Sequence, residues 1–183
     1  DVANTKPYGF RRFFPGPGIG GHCIPVDPQY LYWKSVKVGF PAKFIKLSAE
    51  INTLVLNFVM KKIIKNLQIK KISLINSKIL ILGVSYKKNI DDIRESASVK
   101  LIDKLFKKGI KNISVYDPHV NSKILIKKIK EIKSLNSKVL NTYDIVVLMT
   151  DHDIFDYHLI KMSSKLIIDC RGKFQVTDNI QRG

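Results

Sequence analysis

The stretch "SKILILGVSYKKNIDDIRESASVKLIDKLFKKGIKNISVYDP", residues 77 to 118, changes its hydrophobic period twice, and that change decides the fold. Its opening, "SKILILGVSY" (77–86), is a nearly unbroken apolar run ending at Gly83, the pattern of a strand buried on both faces. "ASVKLIDKLFKKGI" (97–110) then repeats its apolar residues at helical spacing, with Ser96 as candidate N-cap and Gly109 as stop. "NISVYDP" (112–118) returns to a strand. Strand, helix and strand in that order imply a βαβ unit with parallel strands and a right-handed crossover.

The alternation continues toward the C-terminus. "SKILIKKIKEIK" (122–133) reads as a helix, "YDIVVLMTDH" (143–152) as a third strand and "SKLIIDCRG" (164–172) as a fourth. An α/β domain with a parallel sheet is therefore expected over 73–183. Ligands of such sheets collect beyond the carboxyl ends of the strands. Here those ends carry Lys87, Asp91, Asp92 and Arg94 after the first strand, and Arg171 after the fourth. Each cation alone reads as surface charge or a helix cap. Grouped at strand ends, Lys87, Arg94 and Arg171 read as a phosphate site, because ammonium and guanidinium groups pair well with phosphate. Asp117-Pro118-His119 reads as a turn.

Ahead of the sheet, residues 42–67 contain neither glycine nor proline, and Phe44, Leu47, Ile51, Leu54, Val55 and Phe58 recur at helical spacing. Ile45, Leu56, Val59 and Ile63 widen the apolar surface beyond one stripe. The spacing predicts one continuous helix of roughly 39 Å within a connecting segment at 42–72, a spine between domains or a dimer contact, the plainer alternative being the core helix of one domain. Nearer the N-terminus, "FFPGPGIGGHCIPVDP" (13–28) holds four glycines, four prolines and one of two cysteines. Gly16, Gly18 and Gly21 spell a dinucleotide fingerprint, but "RRFFP" precedes them and two prolines, Pro25 and Pro28, forbid the expected helix start, so the Rossmann reading of this loop is rejected. What remains is a rigid loop of bare amides that presents Cys23 and, four residues on, Asp27. His22 is expected to point away from Cys23 along an extended loop, and so not to serve as its base.

Composition bounds these readings. A chain of 183 residues with 45% hydrophobic content has ample material for one domain and an arm. No apolar run approaches ~18 residues, so no membrane span is expected. Two cysteines without a secretory leader suggest reduced thiols and a cytoplasmic protein. The chain opens on Asp1 rather than methionine, as a portion of a longer protein would. Its net charge of +17 comes from 27 lysines and 5 arginines, with none of the arginine clustering or interleaved aromatics of a nucleic-acid binder. No nucleic-acid partner is expected, and no metal site, since no ligand cluster has recognisable spacing.

"PGPGIGGHCIPVDPQYL", the long helix with "AEIN", "GVSYKKNIDDIRES" and "YDPHV" together resemble the UDP-glucose/GDP-mannose dehydrogenase family over nearly the whole chain. The form "GGHCIPVDPQYLYWK" is most similar to the branch acting on UDP-N-acetylhexosamines, UDP-N-acetylglucosamine in particular. The resemblance implies a long central helix followed by a Rossmann-like parallel-sheet domain that binds the nucleotide sugar. It implies NAD as cofactor, held mainly by an N-terminal domain outside this chain, so that the isolated chain is expected to be inactive. Cys23 would be the nucleophile of a two-step oxidation of the sugar C6 alcohol, and Asp27 would assist with water or proton transfer. Phe14, Pro15, Gly16, Pro17, Gly18, Ile19 and Gly20 would wrap the sugar nucleotide. Tyr86, Lys87 and Arg171 would also contact substrate, and Arg94 would reach NAD. A homodimer through the long helix is implied too. The rival readings are a non-catalytic nucleotide-sugar-binding or dimerisation fragment, and a basic nucleic-acid module, which would leave the Gly-Cys-Asp loop unexplained.

Overall fold

The computed structural model describes residues 2–10, 12–120 and 129–183. A 3-10 turn at Val2–Thr5 is followed by α1 (Asp27–Lys37) and the rod-like α2 (Lys43–Ile69). The sheet domain then runs β1 (Lys78–Leu82), α3 (Ala97–Lys107), β2 (Asn112–Tyr116), β3 (Lys130–Glu131), α4 (Ser137–Asn141), β4 (Ile145–Leu148), α5 (Tyr157–Ser163), β5 (Ile167–Asp169) and β6 (Ile180–Arg182). The strands pair in the order β3-β2-β1-β4-β5-β6, and every pairing is parallel. This is the doubly wound arrangement, whose order reverses between β1 and β4.

The four strands expected from sequence are all present and parallel, and Ser96 caps α3 by accepting from the backbone N–H of Ser98 and Val99. Gly109 leaves that helix with φ +88°, a left-handed conformation suited to glycine. β3 and β6 are not legible in the sequence because they are edge strands of two and three residues, too short to show a period. The helix expected over 122–133 falls largely on residues 121–128, outside the described residues. Its described end is corrected, because Lys130–Glu131 pairs with β2 as a strand. A helix does begin at Asp27, six residues beyond Gly21, with Pro28 in its first turn where no N–H is missed. The prolines displace that helix from the glycines but do not prevent it.

Alternate residues of each central strand feed opposite faces of the sheet. Ile79, Ile81, Ile113, Val115, Ile145, Val147 and Ile168 pack with α2 and α3. Leu80, Leu82, Val146, Leu148 and Ile167 pack with Leu140 of α4, Ile160 of α5, Phe155 and Phe174. Only the second half of α2 joins the core, through Leu56, Val59, Ile63 and Leu67. Asn66 there exchanges two hydrogen bonds with Gln181 of β6, at 3.1 and 3.0 Å. The first half of α2 leaves Phe44, Leu47, Ile51 and Leu54 exposed, and Phe58 extends that exposed flank into the second half.

The carboxyl edge of the sheet is tied together by one buried carboxylate, Asp117. Its Oδ2 accepts from Val84 N (2.6 Å), Ser85 N (3.0 Å) and His152 Nε2 (3.1 Å). Its Oδ1 accepts from His119 N (2.9 Å) and Val120 N (3.2 Å), the turn expected at Asp-Pro-His. His152 Nδ1 accepts from Asn89 N at 2.9 Å, which leaves Nε2 as the protonated nitrogen facing Asp117. Burial alone would raise the Asp117 carboxyl. The hydrogen bonds from His152 and from the amides of Ser85, Val84 and His119 outweigh it and hold the group well below the usual carboxylate range.

Asp117→Asn keeps the shape of the side chain but turns an NH₂ group toward N–H donors, which leaves buried donors without an acceptor. The expected loss is about 3 kcal/mol in urea denaturation at pH 7. The wild-type pKa is lower folded than unfolded. The carboxylate's contribution is therefore fully present above the unfolded carboxyl pKa, near ~4, and is lost as pH falls through the lower folded value. The gap between wild type and variant should hold from pH 7 to 5 and narrow at pH 3.

Candidate functional site

The glycine-rich loop lies across this carboxyl edge, and two of its glycines, Gly20 and Gly21, are there because a side chain would not fit. A Cβ on Gly16 would collide with the Arg171 guanidinium. On Gly20 it would stand 2.6 Å from Tyr86 Cβ and 2.9 Å from the Glu95 carbonyl, and on Gly21 2.9 Å from the Tyr86 ring. Gly21 N also donates to the Arg94 carbonyl at 2.9 Å. Pro17, Gly20 and Gly21 are buried, while Phe14, Pro15 and Ile19 stay exposed. The structure thus brings the loop onto Tyr86, Arg94 and Arg171, which sequence reading had placed on separate strand ends. Lys87 is different: its carbonyl accepts from Ser85 Oγ at 2.9 Å, and the residue is exposed.

Two anchors hold these parts in place. Asn52 of α2 accepts from Ile19 N at 2.7 Å and donates to Ile19 O at 3.2 Å, gripping both polar groups of one loop residue. Asp169, at the end of β5, accepts from the amides of Arg171 (2.9 Å) and Gly172 (2.8 Å), which shapes the turn that presents Arg171. Arg171 Nε then donates to Asp151 Oδ1 at 2.9 Å. Neither Asn52 nor Asp151 was singled out in sequence, although an asparagine in a mostly apolar stretch of helix was a usable signal.

Cys23 is exposed, and its surroundings correct one expectation. Residues 23–26 form a turn, closed by Val26 N donating to His22 O at 2.9 Å, so the chain doubles back instead of extending. His22 therefore does not point away. Its Nδ1 lies 3.1 Å from Asp27 Oδ1. A ring nitrogen of His22, Cys23 Sγ and a carboxylate oxygen of Asp27 lie within 4.8 Å of one another. These three are also potential metal ligands that converge, which the sequence spacing did not disclose. Arg94 lies within electrostatic range of the thiol. Its hydrogen bonds to Asp92 chiefly raise its pKa, and Tyr86 and Cys23 add smaller electrostatic contributions. Asp92 is lowered in turn, first by that side-chain hydrogen bond. Cys170 has the opposite setting: it is buried behind the sheet, and burial pushes its thiol up to about 12.

Among the described residues, no helix is long and apolar enough to cross a membrane. Sequence profiles for two domains of the UDP-glucose/GDP-mannose dehydrogenase family match the chain, the central domain over residues 1–54 and the UDP binding domain over residues 80–176. A UDP-N-acetyl-D-mannosamine dehydrogenase of Methanococcus vannielii is 38% identical over 179 residues, covering 93% of this chain and 39% of the relative. A UDP-N-acetyl-D-glucosamine 6-dehydrogenase of Salmonella typhi is 31% identical over 159 residues, covering 84% of this chain and 35% of the relative. The solved UDP-D-ManNAc dehydrogenase from Pyrococcus horikoshii superposes with a TM-score of 0.77 at 29% identity, covering 99% of this chain and 42% of that one. The chain thus spans about two-fifths of the length of these proteins.

Replacing Asn52 by alanine removes both hydrogen bonds to Ile19. At about 1 kcal/mol each, the loop should open locally about tenfold or more often. Hydrogen exchange at the Ile19 amide reads this directly, while exchange in β1 and β4 should be unchanged.

Proposed function

The chain belongs to the UDP-glucose/GDP-mannose dehydrogenase family, and from that premise we propose that it is the C-terminal part of an NAD-dependent dehydrogenase. On this reading the whole protein oxidises the C6 alcohol of a UDP-N-acetylhexosamine to the uronic acid, for polysaccharide biosynthesis. Residues 1–41 carry the nucleophile loop, 42–72 the connecting helix and 73–183 the nucleotide-sugar domain. The observation that carries the proposal is the docking of a cysteine-bearing glycine loop onto cationic strand ends at the switch point of a parallel sheet.

The roles follow from placement. The loop from Phe14 to Gly20 offers backbone amides to the sugar nucleotide, and Arg171, fixed by Asp151 and Asp169, offers a guanidinium beneath Gly16. Tyr86 and Lys87 add contacts from the loop after β1. Cys23 attacks the C6 aldehyde to give a thiohemiacetal, which loses a second hydride to leave a thioester, and water releases the acid. NAD, when bound, supplies the hydride acceptor. The residues fit it in part: Arg94 is an exposed cation within electrostatic range of Cys23, suited to an anionic group of the dinucleotide. Gly16, Gly18 and Gly21 do not form its cradle, since they pack against Arg171, Ala97 and Tyr86 and no strand leads into them.

The names of the relatives favour UDP-N-acetyl-D-mannosamine as the first substrate to assay, ahead of UDP-N-acetyl-D-glucosamine. The exposed apolar flank of α2 supports a homodimer through that helix, which light scattering of the full-length protein at micromolar concentration tests. A monomer there would sink the dimer.

Cys23→Ser in the full-length protein should stop complete turnover while still permitting a sugar-linked adduct, because a serine ester releases more reluctantly than a thioester. Cys170→Ser should keep most of the activity, since its thiol is buried and held protonated. NADH formation and intact mass after substrate addition check both, and full activity of the Cys23 variant would end the covalent reading.

A further inference from the structure

The roles above leave His22 without a part. We propose that His22 is the general base of the hydrolytic step: it takes the proton of the water that attacks the Cys23 thioester, with Asp27 fixing the imidazole. This inference rests on the covalent reading of Cys23.

The geometry has the three elements such a base needs. The turn at 23–26 folds His22 back over the start of α1, where Nδ1 meets Asp27 Oδ1 at 3.1 Å. A carboxylate only accepts, so this contact favours the tautomer with its hydrogen on Nδ1 and its lone pair on the opposite nitrogen, Nε2. Among the described residues, the His22 ring makes no other ion pair. The third element is the nucleophile, whose sulfur lies within 4.8 Å of a ring nitrogen and of the Asp27 carboxylate. Nucleophile, base and orienting carboxylate within hydrogen-bond or one-water reach is the general pattern of assisted acyl transfer. A proton acceptor can lie one water away from the atom it serves, and apo geometry is often longer than the reacting one.

Chemistry assigns the step. A thioester needs water made more nucleophilic, and its hydrolysis needs no oxidant. As the water oxygen bonds to the acyl carbon, its proton passes to His22 Nε2. The carbon–sulfur bond then breaks, and the imidazolium returns the proton to Cys23 Sγ. The thiol and the neutral imidazole are both regenerated. The other groups near Cys23 serve this less well. Arg94 is a cation without an acceptor site, and Cys170 is buried away from the loop. As residue types, imidazole matches proton transfer near neutrality better than a carboxylate does, which favours Asp27 as the orienting group.

The test is His22→Gln in the full-length protein, mixed with NAD and UDP-N-acetyl-D-mannosamine, with NADH followed by rapid mixing and intact mass taken after quenching. The expected result is an NADH burst at near wild-type rate, then a steady rate about 100-fold lower, with the acyl-sugar adduct accumulating on Cys23. Imidazole added to His22→Gly should raise its steady rate, a rescue that a purely structural role would not give. A His22→Gln steady rate close to wild type overturns the proposal. So does loss of the burst without an adduct, which would place His22 before the thioester. Wild type that forms no NADH with any UDP-sugar overturns the covalent reading, and this inference with it.

Discussion

Asp117 is the point on which the carboxyl edge of the sheet depends. One carboxylate with no donor of its own accepts from the ends of β1 and β2 and from His152 beyond β4. These elements flank the place where strand order reverses, and parallel strands splay apart there to make a crevice. A crevice has backbone groups that no ladder satisfies, and burying them unpaired would cost several kcal/mol. Asp117 converts that debt into a fixed platform. Through His152 it also fixes Asn89, and so both ends of the segment that presents Tyr86 and Lys87.

The platform determines what can sit upon it. Tyr86 and Glu95 come up to the loop so closely that only residues lacking a Cβ can pass over them, and this sets glycine at 20 and 21. The loop gains its position from shape and from hydrogen bonds to its backbone, at Gly21 from the sheet side and at Ile19 from Asn52 on α2. α2 is itself clasped to the far edge of the sheet through Asn66 and Gln181. Loop, helix and sheet are thereby one mechanical unit, and Cys23 is carried at a defined place on it although it is exposed.

The central fold was legible because β1, β2, β4 and β5 are buried on both faces and so read as unbroken apolar runs, while α2 and α3 keep a helical period over many residues. The edge strands have neither property. The site was legible where the signal was steric or chemical: glycines that cannot be replaced, a thiol among them and cations at strand ends. It was not legible where a turn decides direction. "HCIPVD" permits either an extended path or a reversal, and the reversal joins His22 to Asp27. Nor does a sequence without partners show that Asn52 reaches a loop 33 residues earlier.

The charge of the chain takes its meaning from the same distinction between fixed and free groups. Lysine dominates the net charge of +17, and most of its ammonium groups are exposed. Arginine is scarce and is placed where direction matters. Arg94 lies along Asp92, Arg171 is aimed by Asp151 and Asp169 beneath Gly16, and Arg182 closes on the buried Asp169 at 2.6 Å. A guanidinium is planar and donates in fixed directions, so a neighbouring carboxylate can set its orientation before any ligand arrives. An ammonium on a flexible stem gives charge without direction. If the proposed nucleotide-sugar function holds, long-range attraction of the anionic ligand comes from the lysines, and the discrimination of one phosphate position from another from the oriented arginines.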